Sequence, residues 1–158
     1  MTAPLLTTAV ACRVAGINRD RFNEYVAAGH YRCAPQTVPG RARLFDPDAM
    51  LTLFLFKRLM DDGFTVERAG GIACAIGEVA KQNPDARAIS YVESYFPGGH
   101  AFLPSIVPPP EEWDNVLFSG TDIRKVTTYR IGKERDLVAH YTEEQRAIIG
   151  DPDEIDPA

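Results

Sequence analysis

The chain has 158 residues, with 45% apolar, 25% charged and 9% aromatic side chains. That is ordinary for a soluble globular protein of one domain with a smaller appendage, and it excludes a wholly disordered chain. The longest apolar-rich stretch, residues 49–56, is interrupted by Thr52 and falls far short of the ~20 residues a membrane span needs, so no membrane partner is expected. The net charge of -5 hides an asymmetry. Residues 1–60 carry eight Arg or Lys against four acids, and the other 98 residues carry nine against eighteen. Seven of the first eight bases are Arg, the residue suited to phosphate and guanine, so a localised anionic partner is expected. The alternative is a solvated surface with chance asymmetry.

In chain order, Thr8 reads as the N-cap of a short helix carrying Val10 and Val14 at i, i+4, ended by Gly16. Asn18 caps a second helix, roughly residues 19–28, with Phe22, Tyr25 and Val26 as its apolar stripe and Gly29 as its stop. Two short helices joined by a Gly-containing turn are a helix-turn-helix candidate. Pro35, Pro39 and Gly40 then forbid a helix, and residues 30–45 read as two short strands around a loop, a hairpin wing with Arg41 and Arg43 on one face.

Asp46-Pro47-Asp48 opens a third helix running to about Asp62 and stopped by Gly63. Its middle, residues 49–56, is apolar nearly all round, which predicts burial on more than one side, against the C-terminal segment or a second subunit. Thr65 caps a fourth helix to about Gln82, which Gly70, Gly71 and Gly77 weaken by about 1 kcal/mol each relative to Ala. The small residues either admit a close neighbour or mark a kink at Gly70-Gly71. Beyond Pro84, residues 89–96 read as a strand or a continued helix, with a turn at Pro97-Gly98-Gly99 and a return strand at residues 101–103. Residues 104–110 are a Pro-rich connector, and residues 125–131 alternate like a strand. Gly132-Lys133 reads as a hairpin turn, and Thr142 to Gln145 as a capping box opening a short last helix. Residues 151–158 are acidic and read as a disordered tail.

The carrying residues of a resemblance are now in place: residues 8–16, Ile17-Asn-Arg-Asp-Arg-Phe-Asn-Glu-Tyr25, Gly29, Gly40-Arg-Ala-Arg-Leu-Phe-Asp46 and Leu59-Met-Asp-Asp-Gly-Phe-Thr-Val-Glu67. Their order and spacing over residues 7–76 resemble the MerR family of bacterial winged-helix regulators. The resemblance implies a winged helix-turn-helix over residues 1–82; with the residue pattern beyond it, a small β-hairpin and short-helix region over 83–149 for dimerisation or an effector and an acidic tail over 150–158, the expected fold is α+β. The sequence departs from the family in two places. Asn23-Glu24-Tyr25-Val26 matches the family's Arg-Tyr-Tyr-Glu-like stretch only at Tyr25, and the prolines and glycines of residues 84–110 forbid the usual coiled-coil helix there. Neither the family's dimer mechanism nor its promoter untwisting carries over, which points to an atypical or phage-type relative.

The expected function is a sequence-specific, DNA-binding transcriptional regulator, homodimeric on an inverted repeat in double-stranded DNA. RNA polymerase or another protein is a further expected contact. Asn18, Arg19, Arg21 and Asn23 are the base-reading candidates, since Arg pairs with guanine and Asn with adenine. Arg13 and Tyr25 are assigned to the backbone, Arg41 and Arg43 to phosphate or the minor groove, and Thr8 is a further DNA-binding candidate. The competing roles are ion pairs to Asp20 or Glu24 for Arg19 and Arg21, core packing for Tyr25, and a wing-to-body ion pair for Arg43. Two other functions stay open: an excisionase-like or architectural factor, and a protein adaptor that has lost DNA. No enzyme is expected, since P-loop, nucleophile and His-Glu-x-x-His motifs are absent. No metal or other cofactor is expected either: His30-x-x-Cys33 has ligand-like spacing but no second pair completes four ligands. Cys12, Cys33 and Cys74 lie scattered, which fits a reducing cytoplasm better than a disulfide framework.

Overall fold

The computed structural model describes residues 4–37 and 39–149. The acidic tail and Val38, at the centre of the expected wing, lie outside the described residues. The fold is α+β. In chain order it contains β1 (Leu6–Thr7), α1 (Thr8–Ala15), α2 (Arg19–Ala27), β2 (Leu44–Phe45), α3 (Pro47–Asp61), α4 (Val66–Gln82), β3 (Ile89–Ser94), β4 (Gly99–Phe102), β5 (Ile123–Tyr129) and α5 (Ile131–Ile149), with 3-10 turns at Pro104–Ile106 and Pro110–Glu112.

Helix starts follow from local chemistry. Asn18, Asp46 and Thr65 cap α2, α3 and α4, accepting hydrogen bonds from the backbone N–H of Arg21, Ala49 and Arg68 at 3.0, 2.8 and 3.2 Å. The first helix is capped one residue earlier than expected. Thr7 accepts from Val10 N–H, and Thr8 is the buried first residue of α1. Gly16 ends α1 in the left-handed region at φ 79°.

α3 is the centre of the molecule. Met50, Leu51, Leu53, Leu55, Phe56 and Leu59 are all at most 2% exposed. The helix packs on α1 and α4 and, through its remaining side, on α5. The second partner of this over-apolar helix is therefore the C-terminal segment. Phe54 stacks on Tyr141 with ring centroids 6.0 Å apart, and Arg58 pairs with Glu134 at 3.1 Å. One buried cluster runs from Leu6 through α1, α3 and α4 to Ile89, Tyr91, Ile131 and Val138.

α4 is one continuous helix, and two of its glycines, Gly70 and Gly77, admit close neighbours. A Cβ on Gly70 would lie 1.8 Å from the His30 carbonyl oxygen, and one on Gly77 would lie 2.0 Å from Thr52 Oγ1 of α3. The C-terminal sheet is antiparallel in the order β4-β3-β5, with Val92 opposite both His100 and Val126. It is tied to α4 through Glu93, 8% exposed, which accepts from Arg68 and lies 3.6 Å from Arg124. Burial, with the charge of Glu93, pushes the neighbouring Tyr91 and Tyr129 phenols up.

Three expectations are corrected. Residues 30–43 form no hairpin among the described residues; β2 pairs instead with β1, Leu6 opposite Phe45. Pro35 and Pro39 remove donors, and Tyr31 turns into the core at 2% exposure, so no strand pairs on that side. The Gly132 turn and short last helix are replaced by one helix of 19 residues. Gly132 is small because the Arg87 side chain occupies the space where its Cβ would be, and Thr142 is an 8% exposed interior residue of α5. Arg135 binds α5 to the end of α4 by donating to the carbonyls of Ala86 and Ala80 at 2.7 and 2.8 Å. Finally, Cys33 and Cys74 are joined in a disulfide, leaving Cys12 as the free, buried thiol. No helix among the described residues is long and apolar enough to cross a membrane.

Candidate nucleic-acid interface

The expected recognition element is built by the turn between α1 and α2. Gly16 N–H donates to Arg13 O at 3.3 Å and Ile17 N–H to Cys12 O at 2.8 Å, closing α1 and sending the chain sharply into the Asn18 cap. The Ile17 side chain is buried and fixes the corner. Lys57 of α3 lies beside this turn, its Cε 3.8 Å from where a Gly16 Cβ would be.

α2 is attached to the body by one strip. Phe22 is its only buried residue and sits edge-on to Tyr31 and Phe45 at 5.1 and 6.0 Å. Tyr25 is half-buried and edge-on to Phe56 at 5.8 Å. Its ring is thus a packing group, the competing role named for it above. The Tyr31 phenol is pushed up by burial, and the Cys12 thiol is pushed up to about 12 for the same reason, with the Arg19 charge pulling weakly the other way.

Val26 is half-buried against the same core, and the other α2 residues face solvent. At 100° per residue, Asp20 and Glu24 lie opposite the Phe22 strip, Arg19 and Asn23 lie on one flank and Arg21 on the other. The middle of the exposed face is acidic and its flanks are basic or amide. Arg19 pairs with Asp20 at 3.7 Å, both exposed, an interaction worth at most about 1 kcal/mol. Arg21 and Arg13 are exposed and make no ion pair among the described residues. Asn18 Oδ1 is committed to the cap, and Thr8 is 9% exposed, so its hydroxyl has little access to solvent.

Arg41 is exposed on the segment after α2, whereas Arg43 folds back and donates to Pro35 O at 2.7 Å. That bond is a contact within the segment, in place of an ion pair to the body. Arg32, a member of the basic head outside the expected site residues, is exposed on the same segment and donates to Gly29 O at 3.1 Å. The signal for it was present in the Arg count alone. His30 and Cys33 do not act as a ligand pair, because the Cys33 sulfur is bonded to Cys74.

The structure therefore brings Arg13, Arg19, Arg21 and Asn23 together around one turn and helix, with Arg32 and Arg41 on the adjoining segment. An array of guanidinium and amide groups on a thinly attached helix can donate to anionic oxygen or to base edges. A separate apolar groove of about 310 Å³ lies between α3 and α5, lined by Leu6, Pro47, Met50, Val138 and Ala139, beside the already bonded Arg135. No protein-family model matches the chain, and no curated protein matches it by sequence.

Proposed function

We propose that the protein is a sequence-specific DNA-binding regulator with a MerR-like helix-turn-helix, acting as a homodimer, with α2 entering the major groove. The observation that carries this reading is α2 itself: a capped nine-residue helix after a left-handed turn, with one buried residue and Arg19, Arg21 and Asn23 presented to solvent. Phosphate contacts from Arg13 and Arg41 would set the register, and α2 side chains would read base edges. Affinity would fall steeply with salt as counterions are displaced.

Selection from a randomised duplex library tests the reading. A recurring inverted repeat supports it. Arg21→Ala and Asn23→Ala are each expected to relax that preference by about tenfold or more at one base position, the effect of losing a bidentate contact, with folding unchanged by circular dichroism. Unchanged specificity in both variants would remove α2 from the recognition role. Retention without a motif would favour an architectural factor. The dimer is tested by sedimentation of the full chain, because removing the C-terminal half would uncover the α5-facing side of α3.

A protein-adaptor reading has its own support. The acidic middle of α2 would meet phosphate poorly, and Tyr95 and Phe96 stand 71% and 72% exposed beside the β3–β4 turn. Absence of DNA retention at physiological salt would favour it.

A further inference from the structure

Residues 32–44 leave the core at Tyr31, 2% exposed, and re-enter it at Phe45, fully buried. Every described residue between them is exposed or half-buried, and only Ala34, next to Cys33, packs on the core. Their polar contacts are local: Arg32 reaches back to Gly29 O, Arg43 reaches Pro35 O, and Leu44 pairs with Thr7 in the short β1–β2 ladder. Among the described residues, no ion pair or side-chain hydrogen bond joins residues 33–43 to α3 or α4. One bond does so, the Cys33–Cys74 disulfide, across 41 residues of sequence. It is open to attack. Cys33 is exposed, and both cysteines border a groove of about 190 Å³ with Pro35, Thr52 and Gly77. On the side toward His30, Gly71 offers no side chain and has nothing within 4 Å of where a Cβ would be.

We propose that Cys33–Cys74 is a thiol–disulfide exchange site whose oxidation state sets whether residues 32–43 are clamped to α4 or released. The co-reactant is a dithiol. Its thiolate attacks the sulfur of Cys33 from the groove that this exposed residue borders, the S–S bond breaks, and Cys74 leaves with the electron pair and takes a proton. The second thiol of the reductant then displaces Cys33 from the mixed disulfide. Two protein thiols and one oxidised dithiol result, a balanced two-electron exchange, and oxidised dithiol drives the reverse. Tyr31 and Phe45 anchor both ends, so release is confined to the segment between them. The consequence for DNA rests on the regulator reading: Arg32, Arg41 and Arg43 all ride on the clamped segment.

The test uses the full chain, without denaturant, titrated with dithiothreitol. Thiols are counted by alkylation and mass, and tryptic cleavage after Arg41 and Arg43 is timed. Cys12, 1% exposed, serves as the sentinel for unfolding. The proposal expects Cys33 and Cys74 to become alkylatable while Cys12 stays protected, with cleavage after Arg41 and Arg43 at least tenfold faster and cleavage in α3 and α4 unchanged. It is overturned if Cys33 and Cys74 open only together with Cys12, or if cleavage does not respond to reduction. The double variant Cys33→Ser/Cys74→Ser should cleave at the reduced rate and ignore dithiothreitol; if it does not fold, the titration of the native chain decides. Duplex DNA retention is measured on both redox forms. Equal retention overturns the coupling to DNA. No retention by either form, with the thiol and cleavage results as expected, sinks the regulator reading and leaves the exchange site standing.

Discussion

α2 and α3 show how differently two helices of one chain can be held. α2 buries one residue of nine, Phe22. α3 buries eight of fifteen and is covered on more than one side. The first helix is placed by a turn, a cap and a single aromatic strip. The second is the surface on which α1, α4 and α5 converge. A helix held at one strip can present its remaining side chains to a partner, while a helix enclosed by its neighbours carries the stability of the whole. The described residues of 32–43 extend the α2 condition further, since none of them is fully buried, Ala34 alone packs on the core, and one covalent bond ties them to α4.

The largest expected effect tests the α3 side of that comparison. Phe56→Ala removes a fully buried ring that contacts both Tyr25 and Tyr31, and should lower unfolding free energy by about 3–5 kcal/mol. Urea unfolding should remain a single transition, because the core is shared from Leu6 to Val138. Two separable transitions would break the picture of α3 as a common core. Next, reducing Cys33–Cys74 frees a 41-residue separation in the unfolded chain, for which loop closure alone predicts a loss of about 4 kcal/mol, and about 2 if the reduced chain retains structure. The same urea titration with and without dithiothreitol reads it, and an unchanged midpoint would remove the tether from the stability account.

A glycine pair in α4 sharpens the contrast at single-residue scale. Gly70→Ala drives a methyl into the His30 carbonyl and should cost about 1–3 kcal/mol. Gly71→Ala meets nothing and should gain up to about 1 kcal/mol from helix propensity. Equal thermal shifts for the two would contradict the close packing of the loop after α2 on α4. Smallest is Asn18→Ala, which removes the α2 cap and should cost about 1 kcal/mol, seen as faster amide exchange at Arg21 and little change in α3.

Much of the α2 neighbourhood could be read from the sequence because its determinants are local. The left-handed Gly16, the Asn18 cap and the spacing of Phe22, Tyr25 and Val26 all act within a few residues. The charges of Arg13, Arg19 and Arg21 could be counted, but the sequence did not tell which would be paired. Arg43 illustrates the limit. Its bond to Pro35 O depends on how a proline-containing loop folds back, and no residue pattern encodes that distance.

The sequence by itself determined where α2, α3 and α4 begin and end, because caps, breakers and apolar periodicity operate over one or two turns of chain. It also determined that α3 needed a second partner, since its apolar surface exceeds one face. Tertiary structure alone decided three things. It chose α5 as that partner and made α5 one helix, because burial of Ile131, Val138 and Thr142 outweighs the local turn signal at Gly132 and the capping signal at Thr142. It left the described residues of 30–43 without a hairpin by drawing Tyr31 into the core and pairing β2 with β1. And it joined Cys33 to Cys74, a pairing that exists only because Gly70 lets the chain around His30 approach the backbone of α4.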